Sequence, residues 1–321
     1  MGPKLRAVLL ALVLALVAVS PALAGNGGIA PVAPQSPNAG SISDTYWLIL
    51  AVTGAIFVIV EGWLIVSIAR FRRARRNRTE EGPQIRGNTN LEIAWTVVPV
   101  LIVAAIVGFV FAKLPSVSDV PEAKAGSSLA ITVEGHQYYW LFRYPGGQVA
   151  VDTMVVPVQR VVTLTVLADD VVHSWWIPAL GGKIDAIPGR TNHTWFRAES
   201  SGIYRGQCAE LCGIQHTAMK AAVEAVSPGQ YERFLAAHRP GSSTVGEETF
   251  VGVCAKCHGD KGQGDIGPPL QNRRFETQDM TDLLRNGRGK MPAVGSGWTQ
   301  AQINAVVTYL RRTRGGAQSG G

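Results

Sequence analysis

Cysteine is scarce in this sequence, with only four residues among 321, and they occur as two close pairs. So few thiols exclude the disulfide-rich scaffolds of small secreted proteins and indicate two local sites instead. Positive charge is also confined, because six arginines between Arg70 and Arg78 supply much of the formal net charge of +7. A short basic run beside an apolar run is typical of a membrane-side loop and argues against a nucleic-acid-binding surface.

The amino terminus has the pattern of a secretory signal. Lys4 and Arg6 precede a short apolar core, and a run of small residues ends at Ala24. This pattern predicts a signal peptide over residues 1–24, cleaved after Ala24; an uncleaved third span is the alternative. The apolar core is short for a bilayer, which favours cleavage. Residues 25–44 are rich in Gly, Pro, Ala and Asn and are predicted to form a flexible leader.

Two long apolar runs follow, at residues 46–68 and 93–112. Each can cross a bilayer as a helix, so residues 45–114 are predicted to form a transmembrane helical hairpin. Its arginine-rich loop, about residues 70–91, is expected on the cytoplasmic side, which leaves both chain ends outside.

Two glutamates accompany these spans. Glu61 lies within the first apolar run, where a carboxyl group is costly unless it faces a partner helix or water. It has either a proton-linked role or a structural role as a protonated carboxyl. Glu92 precedes the second run, where a negative charge suits a helix N-terminus even without a further function.

Beyond residue 128 the sequence changes to short β-branched and aromatic runs, most of them separated by Gly and Pro turns. The predicted strands are residues 129–133, 138–142, 149–156, 160–167, 191–196 and 221–225. Many short strands without intervening helices predict an all-β sandwich or barrel over residues 127–227.

The first cysteine pair lies in a segment rich in metal-binding groups. Two thiols, an imidazole and a thioether occur close together at Cys208, Cys212, His216 and Met219. Soft sulfur ligands with imidazole suit copper, and His173 offers a second imidazole. The two cysteines could bridge two copper ions, with one histidine at each side. A disulfide and a tetrahedral zinc site are the alternatives, although zinc has no need of Met219.

The second cysteine pair belongs to the sequence C-x-x-C-H, formed by Cys254, Cys257 and His258. This spacing is the attachment signal of c-type haem, with the histidine as an iron ligand. A thioredoxin-like redox pair is the alternative, but it needs a βαβ context that is lacking here. Met291, in a glycine-rich loop, is predicted as the other axial ligand. Met280, in an amphipathic run, is the alternative and is expected to pack instead.

Helical patterns surround this motif. Residues 228–244 are predicted to form a short helix and a linker, residues 245–314 a small all-α domain, and residues 315–321 a loose tail. Thr299 and Gln302 have the spacing of a capping box. One apolar helix face is predicted to follow, formed by Ile303, Val306, Val307 and Leu310.

Three motifs in order resemble signatures of cytochrome c oxidase subunit II. They are Gly-His-Gln-Tyr-Tyr-Trp at residues 135–140, Asp-Ala-Ile-Pro-Gly-Arg at residues 185–190, and the cysteine-rich segment at residues 208–219 with its distant histidine. The resemblance covers about residues 40–226 and implies a cupredoxin-like Greek-key barrel. It implies a dinuclear copper centre with the side-chain ligands His173, Cys208, Cys212, His216 and Met219.

The resemblance also implies roles for three further residues. Glu210 would bind copper through its backbone carbonyl, and its carboxylate would face a magnesium site shared with the catalytic subunit. Glu92 would stand at the mouth of a proton path in that subunit. Tyr138 replaces the tryptophan that receives electrons from cytochrome c in the family, which argues against the usual route from a soluble cytochrome c.

The carboxyl-terminal segment resembles a class I cytochrome c, and the whole chain resembles subunit II of a caa-type cytochrome c oxidase. The implied function is transfer of electrons from haem c to copper and on to subunit I, which reduces dioxygen to water with proton translocation. The implied partners are subunit I, the other oxidase subunits, the lipid bilayer, and cytochrome c or a quinol–cytochrome c reductase as donor. Nucleic acid is not an expected partner. Both termini and both metal domains would lie on the periplasmic face of a bacterial inner membrane, with residues 240–246 as a tether.

Three other protein classes share parts of this pattern. Nitrous oxide reductase has a similar copper motif but needs a second copper domain that is missing. A quinol oxidase subunit II would lack the copper ligands. A membrane-tethered electron carrier without an oxidase partner would carry the same motifs, and co-purification with a haem–copper subunit distinguishes it.

Overall fold

The computed structural model describes residues 31–71, 84, 86–121 and 128–313. The predicted signal peptide, most of the arginine-rich loop and the tail lie outside the described residues. The chain divides into two compact units, Gly40–Asp119 on the one hand and Met1–Ala39 with Val120–Gly321 on the other.

The first unit consists of two apolar helices, α1 (Pro37–Phe71) and α2 (Thr89–Ser118). Both are long and apolar enough to cross a membrane. The prediction of a flexible leader over residues 25–44 is wrong for residues 37–44, which form the first turns of α1. Both helices therefore extend beyond the predicted apolar runs. Within the unit, Lys113 Nζ lies 2.8 Å from Asp44 Oδ2.

The β-domain contains ten strands in two five-stranded sheets. The strands are β1 (Leu129–His136), β2 (Tyr139–Arg143), β3 (Val149–Val151), β4 (Thr153–Pro157), β5 (Val162–Ala168), β6 (His173–Trp176), β7 (Ile184–Ala186), β8 (Asn192–Phe196), β9 (Gly202–Cys208) and β10 (Lys220–Val226). The first sheet has the order β3-β2-β1-β5-β8 and the second β4-β10-β9-β6-β7. One hydrophobic core draws buried side chains from both sheets, including Trp140, Leu164, Trp175 and Val223.

Three strands, β6, β7 and β9, were not among those predicted from the sequence. In β9 only Cys208 is fully buried, so the strand lacks the alternating apolar pattern that signals a half-buried strand. Position 206 in β9 requires glycine, because the Cβ atom of any other residue would overlap the Trp176 carbonyl. The predicted single strand over residues 149–156 is divided in two at Asp152, which adopts φ 59°.

A helical domain completes the second unit. It follows α3 (Pro228–Ala237), which packs on the core of the β-domain through Tyr231. The helices of the domain are α4 (Ser243–Thr249), a π-helical segment (Phe250–Cys254), α5 (Ala255–His258), α6 (Thr277–Asn286) and α7 (Gln300–Thr313). The predicted capping box is confirmed, because Gln302 Oε1 accepts from Thr299 N at 3.0 Å and Thr299 Oγ1 accepts from Gln302 N at 3.3 Å. The predicted apolar face of α7 is buried.

The predicted tether over residues 240–246 is shorter than expected, because α4 begins at Ser243 and Ser242 caps it. The helical domain also shares a hydrophobic core with the outer face of the first sheet. This interdomain core joins Tyr139, Leu141, Val149 and Val151 of the β-domain to Val245, Phe250, Trp298, Ile303 and other helical residues. The two domains are therefore packed together rather than only connected.

Candidate metal and haem sites

The predicted metal-binding side chains lie together at one end of the β-domain. Cys208 Sγ is 4.0 Å from Cys212 Sγ and 3.9 Å from His173 Nδ1. Cys212 Sγ is 3.5 Å from His216 Nδ1 and 3.8 Å from Met219 Sδ. Each imidazole therefore approaches a different sulfur, and the thioether closes the group on one side.

Rigid strands and one short loop hold these groups. His173 begins β6 and Cys208 ends β9, which are paired strands of one sheet. The ligand loop, residues 208–219, then turns back through a 3-10 helix at His216–Ala218 and enters β10. Cys208 N donates to Met219 O at 3.0 Å, so the two ends of the loop are bonded to each other.

A carboxylate orients the first histidine. Asp170 Oδ1 lies 2.8 Å from His173 Nε2, which directs Nδ1 towards the sulfur cluster. The Asp170 carboxylate also accepts from the backbone N–H groups of Val171 and Gln137, each at 2.6 Å. Burial alone would lower the pKa of His173, but its hydrogen bonds to the Asp170 carboxylate and to Cys208 raise that pKa above 6.5. Asp170 therefore holds the His173 ring and the adjoining backbone with one carboxylate.

The two thiols differ in their tendency to ionise. Burial opposes ionisation of both, but hydrogen bonding to His173 and the backbone lowers the pKa of Cys208 below 9.0. Burial and the neighbouring Cys208 sulfur raise the pKa of Cys212 to about 12. Two adjacent thiolates in a buried site repel each other unless a cation lies between them, so this pair suits a bound metal.

The donor set fits a sulfur-rich metal centre. Separations of 3.5–4.0 Å between neighbouring donor atoms are compatible with metal–ligand bonds of about 2.0–2.3 Å to a shared ion. Both cysteines are free. The backbone carbonyl of Glu210 also faces the cluster, 3.2 Å from Cys208 Sγ, while the residue itself is exposed. Thiolate, thioether and imidazole together match the preferences of copper.

The haem motif, residues 254–258, forms one helical stretch in which Cys254 ends the π-helical segment and α5 carries Cys257 and His258. His258 Nδ1 lies 2.7 Å from Pro268 O. A neutral imidazole that donates through Nδ1 keeps a lone pair on Nε2, as an iron ligand requires. Gly267 is packed against this ring, because a Cβ there would lie 2.8 Å from His258 Cε1.

The two candidate methionines both border the interdomain core. Met291 lies in a tight turn, where its backbone exchanges hydrogen bonds with Arg288 at 3.0 and 3.1 Å. Gly287 adopts φ +68° beside it and leaves no room for a side chain. Met280 is on α6, as its amphipathic sequence predicts. The choice of Met291 as axial ligand therefore stays a prediction.

Two tryptophans and two histidines of the β-domain lie outside the set of predicted ligands. Trp175 is buried in the core of the β-domain, and Trp176 is half-buried. His136 is buried and stacks on Tyr139 with ring centroids 4.8 Å apart, whereas His193 is exposed on β8.

Glu92 and Glu61 lie on the two apolar helices. Glu92 lies in the first turn of α2, where its Oε1 accepts from the backbone N–H of Asn88 at 3.3 Å. This contact makes Glu92 a helix-capping residue, and the proton path remains a prediction. Glu61 is on an exposed face of α1 within its unit.

Three residues that sequence reasoning missed connect the two sites. Lys256 of the haem motif contacts Asp152 in the β-domain, and Gln215 of the ligand loop contacts Lys256. The spacing of the motifs contains no signal for these contacts, because they depend on how the two domains pack.

Comparison with known proteins identifies the family. A cytochrome c oxidase subunit 2 from Alkalihalophilus pseudofirmus is 31% identical over 318 residues, which cover 89% of this chain and 91% of the relative. This chain belongs to the cytochrome c oxidase subunit II family. The haem–copper oxidase to which subunit II belongs is an enzyme complex, so the chain is a subunit of an enzyme.

Family models match three successive parts of this subunit II. They describe the cytochrome c oxidase subunit II transmembrane domain at residues 30–112, its periplasmic domain at residues 147–226, and cytochrome c oxidase, cbb3-type, subunit III at residues 242–310. The chain thus has two membrane-spanning helices, a cupredoxin-like β-domain and a cytochrome c-type domain.

Further relatives are similar over shorter lengths. Cytochrome c oxidase subunit 2 of Cereibacter sphaeroides is 35% identical, covering 71% of this chain and 86% of the relative. The solved periplasmic domain of subunit II of cytochrome oxidase from Bradyrhizobium japonicum is 36% identical, covering 37% of this chain and 96% of that chain, with a TM-score of 0.35.

Proposed function

We propose that this subunit receives electrons at a covalently bound haem c and delivers them through a dinuclear copper centre to the catalytic subunit, where dioxygen is reduced to water and protons are translocated. The observation that carries the proposal is the sulfur cluster, in which Cys208 and Cys212 lie 4.0 Å apart and each is approached by a different imidazole. A single tetrahedral zinc ion does not require that division. The thioether of Met219, 3.8 Å from Cys212 Sγ, further favours copper over zinc.

The proposed copper ligands are His173, Cys208, Cys212, His216, Met219 and the backbone carbonyl of Glu210. Copper held by these residues would supply one-electron chemistry. The chain contributes a frame that does not rearrange, because paired strands carry the first two ligands and a closed loop carries the others. His173, Cys208 and Met219 are each no more than 2% exposed, so the frame also excludes water.

The proposed haem ligands are Cys254 and Cys257 through thioether bonds, with His258 and Met291 on the iron. Such ligation gives a raised potential suited to electron transfer. The contact from Pro268 holds the His258 ring in the orientation that leaves Nε2 for iron.

The position in the membrane follows from the same proposal. Residues 1–24 direct export, and the arginine-rich loop stays in the cytoplasm. Both metal domains then lie on the periplasmic face of the inner membrane. Subunit I and the other oxidase subunits are the partners, and a cytochrome c or a quinol–cytochrome c reductase supplies electrons. In this proposal the Glu210 carboxylate would help to hold a magnesium ion shared with subunit I, and Glu92 would border a proton path in that subunit.

Metal and haem analysis of the intact membrane complex tests the proposal. We expect two copper ions and one haem c in this subunit, with the mixed-valence copper signal in electron paramagnetic resonance. Cys208→Ser should abolish that signal and leave the haem c spectrum unchanged. Zinc or a cystine at the sulfur cluster of fully matured protein would contradict it, as would isolation of the chain from its native membrane without a haem–copper subunit.

A further inference from the structure

The two proposed redox sites meet at Lys256, one of the two residues between the haem-binding cysteines Cys254 and Cys257. Lys256 Nζ donates to Tyr138 O at 2.8 Å and to Asp152 Oδ2 at 2.6 Å. Both partners belong to the β-domain. The lysine side chain is 16% exposed and the aspartate 22%. Salt screens a partly buried ion pair of this kind less than it screens an ion pair exposed to water.

The backbone of the same lysine contacts the ligand loop. Gln215 Nε2 donates to Lys256 O at 3.2 Å. Gln215 directly precedes the proposed ligand His216, and Lys256 directly precedes the haem-binding Cys257. One hydrogen bond therefore joins a residue next to each site.

A second contact braces the ligand loop beneath this junction. Gln137 Nε2 donates to Cys212 O at 2.6 Å, and the Tyr138 hydroxyl packs so closely on Gly213 that a Cβ there would lie 2.5 Å from it. The backbone carbonyl of Tyr138 is the acceptor for Lys256. The turn between β1 and β2 thus touches both the ligand loop and the haem motif.

Apolar packing fixes the approach of the helix that carries the haem motif. Gly252 in the π-helical segment lies against Val151, and a Cβ there would overlap the valine side chain. Tyr139 and Phe250, both 0% exposed, belong to the interdomain core on the same side of the sheet. A core of this kind resists the separation that a loosely tethered donor domain would need.

We propose that Lys256, held by Asp152, is a positioning residue that fixes the haem motif against the ligand loop, so that electrons pass between the two sites in the packed arrangement without separation of the domains. The inference rests on the proposed function of the two sites. In each transfer one electron leaves the haem site, which is oxidised, and enters the copper site, which is reduced. No bond forms or breaks in the step.

Lysine accessibility in the full-length, detergent-solubilised chain tests the packed arrangement without depending on activity. A lysine-acylating reagent followed by mass spectrometry compares Lys256 with exposed Lys261 a few residues away. We expect Lys256 to react at least about ten-fold more slowly than Lys261, because it must be freed from both acceptors first. Equal reaction rates in the wild-type protein would overturn the proposal.

Asp152→Asn is the matching variant. Asparagine tolerates the φ of 59° at this position and can still accept from Trp140 N, which bonds Asp152 Oδ1 at 2.9 Å. It removes only the charge that holds Lys256. We expect faster acylation of Lys256 and unchanged acylation of Lys261. Lys256→Met keeps the apolar stem without the ammonium group, and Lys261→Met is its exposed control.

Photochemically triggered electron transfer in the metal-loaded complex gives the second measurement. In the wild-type protein the rate between the two sites should be independent of solvent viscosity, because no domain motion precedes it. In Asp152→Asn and Lys256→Met the rate should fall as viscosity rises, with the haem and copper spectra unchanged. A viscosity-dependent wild-type rate, or variants that behave as the wild type, would overturn the positioning role. Absence of haem or copper would overturn the proposed function instead. The acylation rate of Lys256 would still report whether the two domains are packed together.

Discussion

The indole of Trp298 donates to the hydroxyl of Tyr139 across the domain boundary, with Nε1 and Oη 3.0 Å apart. The same hydroxyl donates to Val294 O at 2.6 Å, so a strand of the β-domain is bonded to two residues that precede α7. Tyr139 is 0% exposed and Trp298 4%. Burial raises the pKa of Tyr139 far above its usual value of 10.0, so the hydroxyl stays neutral and able to donate. A polar link inside an apolar interface makes the packing of the two domains specific as well as stable.

Tyr139→Phe should weaken this interface. The change leaves the buried Trp298 N–H and Val294 carbonyl without their shared partner, which costs about 1–3 kcal/mol. The expected result is a lower denaturation midpoint for the cytochrome c-type domain of the solubilised subunit. Circular dichroism measures the unfolding. Tyr204→Phe is the matched control, because its hydroxyl donates to Ser200 O at an exposed position and its loss should change stability by less than about 0.5 kcal/mol. Equal losses of stability in the two variants would show that the hydrogen bonds of Tyr139 do not stabilise the packing of the two domains.

Asp170→Asn should weaken copper binding without unfolding the β-domain. The carboxylate fixes the His173 ring from the side opposite the sulfur cluster, and loss of such support typically costs about 10–100-fold in metal affinity. Competition with a copper chelator measures the change. Asp169→Asn, at the exposed neighbouring position, should bind copper as the wild type does. If Asp170→Asn binds copper as tightly as the wild type, the Asp170 carboxylate does not support the metal site.

Met291→Leu should lower the midpoint potential of the haem, because a thioether ligand on iron raises it. Axial ligands shift haem potentials over a range of roughly 0.8 V, so a fall of more than about 100 mV is expected. Redox titration followed by absorption of the haem measures it. Met280→Leu is the control, since this methionine is predicted to pack on α6. If Met280→Leu changes the potential and Met291→Leu does not, the two assignments must be exchanged.

Stability of the subunit should fall as pH rises from 6.5 through the raised pKa of folded His238. His238, at the end of α3, lies 2.7 Å from Glu248 Oε1 on α4. Burial alone would lower the pKa of His238, but the Glu248 carboxylate outweighs it and raises the pKa above 6.5. The stabilisation is therefore fully present below the unfolded value of 6.5 and is lost as pH rises through the raised pKa of the folded state.

His238→Gln should remove this pH dependence. Because the Glu248 side chain is 36% exposed, the effect on stability should be about 1 kcal/mol or less. Thermal unfolding of the solubilised subunit between about pH 6 and about pH 9 measures it. His193→Gln, on the exposed part of β8, should leave the pH dependence as it is in the wild type. A slope that persists in His238→Gln would assign it to another group.

Local patterns in the sequence predict the membrane helices, most strands and the two groups of candidate ligands. Apolar length predicts the two membrane helices, and alternation with turn residues predicts most strands. The strands that escaped prediction are those whose residues serve the ligands or face solvent, such as β6 and β9. Cys208, Cys212, His216 and Met219 are close in sequence, so their proximity in space depends on one short loop.

The tertiary structure alone decided what the two sites share. Lys256, Asp152 and Gln215 are far apart along the chain and have no common pattern, yet packing of the haem motif on the first sheet brings them together. Pairing of β6 with β9 likewise places His173 beside Cys208. When the residues of a site lie near each other in sequence, their spacing indicates the chemistry of the site. Contacts between distant segments form only when the hydrophobic cores pack, so the sequence pattern does not predict them.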